Sequence, residues 1–426
     1  MGEIMINRIY IKCNFCKTNI LLRFQMGEFD IPFSFFCPNC KVNINGIRKI
    51  ATENSFEINN ATEIEECLDN IDYYADFSVE LPHKKISKYI SFEQMYSKGA
   101  GPFMDTVNLF ESGQDYMNLV KHIEEFIFFK INNWNVLRPL YDLYFNDKIE
   151  LIREPILKLS PNFTVKNKLD VAMALHQSNV IGFSKILDPN TLNEFIEISK
   201  KVMNKEIILE VYKFIDFLKT NQEIDFNLKR IVKIYSRWIE NFEKYIPMVM
   251  ISLGDLREKF DKEIYGIATI SFDDMINFYK DSYELILDMI TIAIGLNNIY
   301  LRGTYDSFSD GANVSNFEEY NKLVKSKRLE SLIFEEPFSK CVKIDRNIRN
   351  AIAHYTYDFD VSSQKITFYD KFRGQENVVE LYLCDLALLC YDNITILVYL
   401  NELLYNFRKI NFIQSGMRPN IGFPSK

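Results

Sequence analysis

The chain has 426 residues, 47% hydrophobic and 25% charged, with a formal net charge of −8. That size and composition support a sizeable core in two or three domains. With 15 Gly, 12 Pro and 14% aromatic residues, the chain is neither a loop-rich all-β protein nor low-complexity disorder, and its acidic balance excludes a surface coated with a nucleic-acid-binding field, so any such site is local.

Residues 1–16 contain no apolar run of signal-peptide length. The most apolar stretch, 381–404, is interrupted by Asp385, Asp392 and Glu402, so no membrane span is expected. Eight cysteines without a secreted disulfide spacing fit a reducing, cytoplasmic setting.

Residues 1–50 read as short strands, IYIKCNFC and FSFFCPNC, each running into a Cys pair. Cys13-x2-Cys16 and Cys37-x2-Cys40 can supply four thiolates to Zn2+ from two tight turns, as in zinc ribbons. Such a closed site has no open coordination position, so the metal is structural. Two disulfides or a redox pair remain the alternative. Residues 1–50 hold seven Lys or Arg and three acids, which suits either weak nucleic-acid contact or a docking module.

Between residues 51 and 80 stand nine acids and no Lys or Arg. Residues 51–110 therefore read as an acidic connecting region, with a break at SKGAGPF. Residues 111–264 show apolar spacing of three and four and form a helical middle domain on which no chemistry is written. In SFDD, Ser271 is a helix N-cap, and that helix should run to about Asn297. A loop follows, then helices near 316–335 and 341–357, a β-hairpin with its turn near Arg373-Gly374, and a helix over roughly 378–408. The tail, 413–426, is expected to fray.

The segment IDRNIRNAIAHYTYDFD at 344–360 carries the second constellation. On a helix, Ile344, Ile348, Ile352 and Tyr355 share one face, an inward stripe. Asn350 and His354 share another, with Arg346 on the same side and Arg349 beside it. A surface helix with an Asp345–Arg349 ion pair is the plain alternative.

Arg349-Asn350-x3-His354 resembles the R-N-x3-H motif of HEPN domains, which are small helical bundles; the resemblance covers about 265–410. It implies a C-terminal HEPN domain at 265–412; with the helical middle domain at 111–264 and the small N-terminal β zinc ribbon at 1–50, which the resemblance does not cover, the chain reads as mainly α. It also implies a metal-independent endoribonuclease that leaves 2′,3′-cyclic phosphate and 5′-OH ends. His354 would be the acid/base, Arg349 the transition-state clamp and Asn350 a positioning residue. No second motif is present, so a homodimer would pair two copies. The expected setting is antiphage defence, abortive infection or toxin-like growth arrest, with an unidentified trigger or antitoxin. Thr356 stands where some HEPN toxins carry the tyrosine of H-x-Y. A non-catalytic HEPN protein binding RNA, nucleotides or a partner is the alternative.

Overall fold

The computed structural model describes residues 6–25, 27–50, 55–66, 70–89, 91, 108–160, 164–220, 223–329, 332, 334, 336, 338–341, 346–372 and 375–420. The chain is mainly α, with small β-sheets concentrated towards its N-terminus. It divides into two compact units, each assembled from three separate segments. One comprises 1–123, 241–280 and 347–391; the other comprises 124–240, 281–346 and 392–426. The consecutive division expected from sequence does not coincide with these units.

The first unit contains every described strand. Its N-terminal strands are β1 (Ile6–Cys13), β2 (Asn19–Gln25), β3 (Ile31–Phe36), β4 (Asn43–Arg48), β5 (Phe56–Asn59), β6 (Ala61–Ile64), β7 (Tyr73–Phe77), β8 (His83–Lys84) and β9 (Ser87–Lys88). They form a five-stranded sheet in the order β6-β1-β2-β7-β9 and a three-stranded sheet β3-β4-β5. The acidic stretch is thus partly built in: β5 extends one sheet, and β6 and β7 extend the other. Its apolar residues explain why, since Phe77 is buried within an aromatic cluster. Phe24 stacks on Phe77 at 5.1 Å, and Phe33 lies 5.5 Å from Phe24 and 5.7 Å from Phe56. Asp76 is buried too; it accepts two hydrogen bonds from Arg23, at 2.7 and 2.9 Å, across the parallel β2–β7 register. A paired guanidinium and carboxylate leave no unsatisfied charge in that sheet.

The same unit holds α8 (Phe242–Leu253), β10 (Tyr265–Gly266), which pairs with β8, and the short helix α11 (Arg346–His354) from Asn347 onward. A three-stranded antiparallel sheet follows: β11 (Tyr357–Asp360), β12 (Lys365–Phe372) and β13 (Gln375–Tyr382). The expected hairpin is therefore present with a third strand, and its turn at Arg373-Gly374 lies outside the described residues. The helix expected from 378 starts later, as α12 (Leu383–Gln414). Val378, Val379 and Leu381 fit either period, and pairing of β13 along the whole of β12 decides for strand.

The second unit is helical. It contains part of α1 (Gly113–Phe128), a π-helical turn at Phe129–Trp134, and α2 (Asn135–Phe145), α3 (Ile149–Leu159), α4 (Lys168–Phe183), α5 (Thr191–Val202), α6 (Ile208–Thr220) and α7 (Glu223–Glu240). It also holds α10 (Phe317–Lys322) and most of α9 (Phe272–Arg302) and α12. Ser271 caps α9 as expected, accepting from the Asp274 N–H at 3.1 Å. The helices expected at 316–335 and 341–357 are shorter than the sequence indicated. Both α9 and α12 are long and apolar enough to cross a membrane by length and composition, but 78% of the apolar window of each is buried inside the structure. Core helices covered on all sides carry the same all-round apolarity.

Phe214 of α6 shows how tight this core is. It is fully buried and meets Tyr305 at 5.1 Å, Phe317 at 5.4 Å and Phe407 at 5.6 Å. A methyl group on Gly295 of α9 would stand 2.0 Å from the same ring. With its neighbours fixed, the ring has nowhere to go. Gly295→Ala is expected to destabilise the protein by about 1–3 kcal/mol through overpacking. Urea unfolding checks this; an unchanged midpoint would mean that the ring moves freely.

Candidate functional site

Two side-chain clusters in the strand-bearing unit match the constellations expected from sequence. The first is the cysteine cluster. Strand β1 ends at Cys13, and β3 stops one residue before Cys37, so each hairpin turn begins on a cysteine. The two turns have the same internal bonding. The Lys17 N–H donates to the Cys13 carbonyl at 3.1 Å, and the Lys41 N–H to the Cys37 carbonyl at 2.9 Å. Cys13 N–H donates to the Thr18 carbonyl at 2.9 Å, and Cys37 N–H to the Val42 carbonyl at 2.9 Å. Lys17 (φ 63°) and Lys41 (φ 62°) both take the left-handed conformation that closes such a turn.

The four sulfurs lie within 4.8 Å of one another. Cys13 Sγ is 3.7 Å from Cys40 Sγ, and Cys16 Sγ is 3.5 Å from Cys37 Sγ. All four cysteines are free, and these separations far exceed the ~2.05 Å of a disulfide. A tetrahedron with metal–sulfur bonds of ~2.3 Å has edges of about 3.8 Å, so the cluster can hold a metal ion. Cys13 and Cys37 are fully buried, and burial pushes the Cys37 thiol up to about 12. A thiolate there needs a cation beside it. Around the sulfurs, Thr18 Oγ1 is 3.1 Å from Cys16 Sγ and accepts from Asn39 Nδ2 at 3.2 Å. Such polar contacts orient metal-ligating thiolates.

The second cluster sits on α11. Ile348 and Ile352 face the core as expected, with Ala351 between them. Ile344 and Asp345 lie outside the described residues. Tyr355 departs from the expected stripe: it is 81% exposed. The helix ends before it can point inward. Tyr355 adopts φ 56°, its N–H donates to the Ile352 carbonyl at 3.3 Å, and the Thr356 N–H donates to the Ala351 carbonyl at 2.9 Å. That is the Schellman pattern, in which the left-handed position is usually Gly.

Arg349 and Asn350 are half-buried, and His354 is exposed as the last residue of the helix. Arg349 Nη1 donates to Asn350 Oδ1 at 3.2 Å. Asn350 Nδ2 in turn donates to Asp370 Oδ2 at 3.4 Å. Asp370, on β12, is 8% exposed. Asn350 is thereby held between the arginine and a buried carboxylate, while His354 makes no hydrogen bond or ion pair among the described residues. Thr356 Oγ1 donates to the Tyr369 carbonyl at 2.6 Å, fixing the chain just after the histidine. One short helix thus carries an exposed imidazole and a tethered guanidinium, groups suited to proton transfer and to gripping an anion.

Asp370 was not foreseen. Its signal lies in the alternation of β12, where Ile366 and Phe368 point inward and the next inward position carries an acid. A buried acid in an apolar register needs a partner, and here the partner is the motif asparagine.

Comparison with known proteins finds no matching family model, no significantly similar curated protein and no significantly similar solved structure.

Holding a tyrosine at positive φ costs about 1 kcal/mol that glycine does not incur. Tyr355→Gly is expected to raise stability by about that amount, seen as a higher urea midpoint with an unchanged slope. A lower midpoint would show that the exposed ring contributes more than its backbone costs.

Proposed function

We propose that the chain is a metal-independent HEPN-type endoribonuclease whose reacting groups are carried by α11. The observation that carries this reading is His354, exposed and unpartnered among the described residues, four positions after an asparagine that holds Arg349. In the proposed reaction the ribose 2′-oxygen attacks the adjacent phosphorus and the bond to the 5′-oxygen breaks. The 2′-OH proton passes to a base, and the leaving 5′-oxygen takes a proton from an acid. The products are a 2′,3′-cyclic phosphate and a 5′-OH end, with no water consumed. An imidazole can act in either proton transfer near neutral pH. Arg349 grips the phosphorane oxygens bidentately. Asn350, tied to Asp370, sets the direction of that guanidinium.

One chain supplies one such histidine, so acid and base on separate imidazoles require a homodimer joined through this helix. Pairing two copies also concentrates the positive charge that a net charge of −8 otherwise withholds from RNA. A role in antiphage defence or growth arrest, in the cytoplasm, rests on the family resemblance and on the free thiols.

A second reading, a non-catalytic HEPN protein that binds RNA or nucleotides, draws on Asp370. A carboxylate behind Asn350 lowers the pull of Arg349 on phosphate. Cleavage of RNA by purified protein with EDTA present separates the two. His354→Ala is expected to lower the rate by at least about 100-fold, to keep RNA binding, and to remove cyclic phosphate ends that the wild type produces. Equal cleavage by both proteins, or cleavage that EDTA abolishes, would sink the nuclease assignment.

For the cysteine cluster we propose a structural Zn2+. Two matching C-x2-C turns and sulfur separations close to tetrahedral edges support it. Elemental analysis is expected to find one zinc per chain, with X-ray absorption giving four sulfurs at ~2.3 Å. Cys37→Ser should lose the ion and lower the melting temperature of the protein. Metal-free wild type of undiminished stability would refute the assignment.

A further inference from the structure

We propose that the helical unit carries a pocket for a small phosphate-bearing ligand of the nucleotide class, centred on Arg408. The pocket has a volume of about 480 Å³, within the ~300–1,000 Å³ range of small-molecule sites. Lys168 of α4, Lys219 of α6, Lys229 of α7 and Arg408 of α12 all line it, with Asp225 as the one lining acid among the described residues. Four cations brought together from four helices are not a solvated charge run on one face. They converge by tertiary folding.

Arg408 marks the pocket as a built site. It is 5% exposed. Its Nη2 donates to the Tyr144 hydroxyl, and its guanidinium lies 5.1 Å from the Tyr144 ring centre and 6.0 Å from that of Phe412. Its Nε has no hydrogen-bond partner, and the nearest carboxylate oxygen, Asp225 Oδ1, is 3.8 Å away, beyond hydrogen-bond reach. A buried N–H donor calls for an acceptor, and a phosphate oxygen is the acceptor that best matches a guanidinium edge.

The other cations are available to the same anion. Lys229 is exposed and has no carboxylate partner among the described residues; its ammonium lies 5.5 Å from the Phe145 ring centre. Lys168 pairs with Asp147 at 2.5 Å and Lys219 with Asp216 at 3.0 Å. Both carboxylates are largely exposed, at 73% and 60%. Exposed pairs of this kind are weak, so exchange for a phosphate costs little.

The apolar part of the lining separates a nucleotide from a bare anion. Phe226 is 60% exposed and lines the pocket together with Phe412. An exposed phenyl ring beside a cationic pocket is a stacking surface for a base. The pocket is also far larger than one phosphate needs. The site shares no residue with α11, so it stands apart from the nuclease reading.

The test is calorimetric titration of the full-length protein with ATP, adenosine and inorganic phosphate at low salt. ATP is expected to bind saturably, and at least about tenfold more tightly than either adenosine or phosphate. Lys229→Glu, an exposed change that should leave the melting temperature unaltered, is expected to weaken ATP at least about tenfold. Phe226→Ala should weaken ATP while leaving the affinity for inorganic phosphate unchanged. His354→Ala should leave ATP binding unchanged, which separates this site from α11. The proposal is overturned if ATP does not bind, if phosphate binds as tightly as ATP, if single-stranded RNA binds but ATP does not, or if Lys229→Glu has no effect on ATP.

Discussion

Four sulfur atoms lie within 4.8 Å of one another in the strand-bearing unit, at the point where two of its sheets meet. Strands β1 and β2 meet at one cysteine turn, and β3 and β4 at the other. Those hairpins belong to different sheets. The sulfurs therefore tie two sheets together at one end, while the Phe24, Phe33 and Phe77 cluster packs between them. A third tie comes from Asn60, whose carbonyl accepts from the Asn14 N–H at 3.1 Å and whose side chain donates to the Asn43 carbonyl at 2.8 Å. The β5–β6 connection at Asn60 thus runs from one sheet to the other and bonds to both cysteine hairpins. Four thiols alone would not hold this closure, because converging thiolates repel and converging thiols bond weakly. In the proposed zinc site, a divalent cation would turn the same geometry from a cost into a source of stability.

Local signals in the sequence survive well in the structure where they depend on neighbours in the chain. The C-x2-C pairs are two such signals: a turn of fixed length places both sulfurs on one side whatever the surroundings. The Ser271 cap and the apolar face of α11 at Ile348 and Ile352 are others. The signals that misled were those settled by distant partners. ENVVELYL has spacing compatible with helix, yet it is a strand because β12 lies beside it. The acidic stretch from 51 reads as a connecting region, yet Ala61, Ala75 and Phe77 are buried and Asp76 has Arg23 opposite it. Discontinuous units are the extreme case, since no local pattern says that 241–280 and 347–391 belong with the first hundred residues.

The candidate site divides the same way. Asn350 and His354 are four apart on one helix, so helical spacing alone puts them on one face, and Arg349 reaches Asn350 from the neighbouring position. Asp370 comes from a different strand, and only the sheet delivers it to Asn350. Tyr355 lies between these cases. Its place on the stripe assumes that the helix continues, and the Schellman closure at His354 stops it one residue too soon. The outcome matters for chemistry: a helix that ran on would carry His354 on its flank, whereas ending there exposes the imidazole at a terminus with an open approach.

Charge distribution bears on where an acidic chain could hold an anion. Its cations are not spread evenly. Many are spent on nearby carboxylates, as Lys244 is on Asp274 and Lys322 on Glu318, and such surface pairs add little to stability or to any external field. Arg408 is packed between the rings of Tyr144 and Phe412, and Arg349 donates to the amide of Asn350. A neutral partner orients a guanidinium without neutralising it. Asp225 stands 3.8 Å from the Arg408 Nε, near enough to lower the cost of burying that cation, and the Nε hydrogen-bonding position is left to an oxygen that the described residues do not supply.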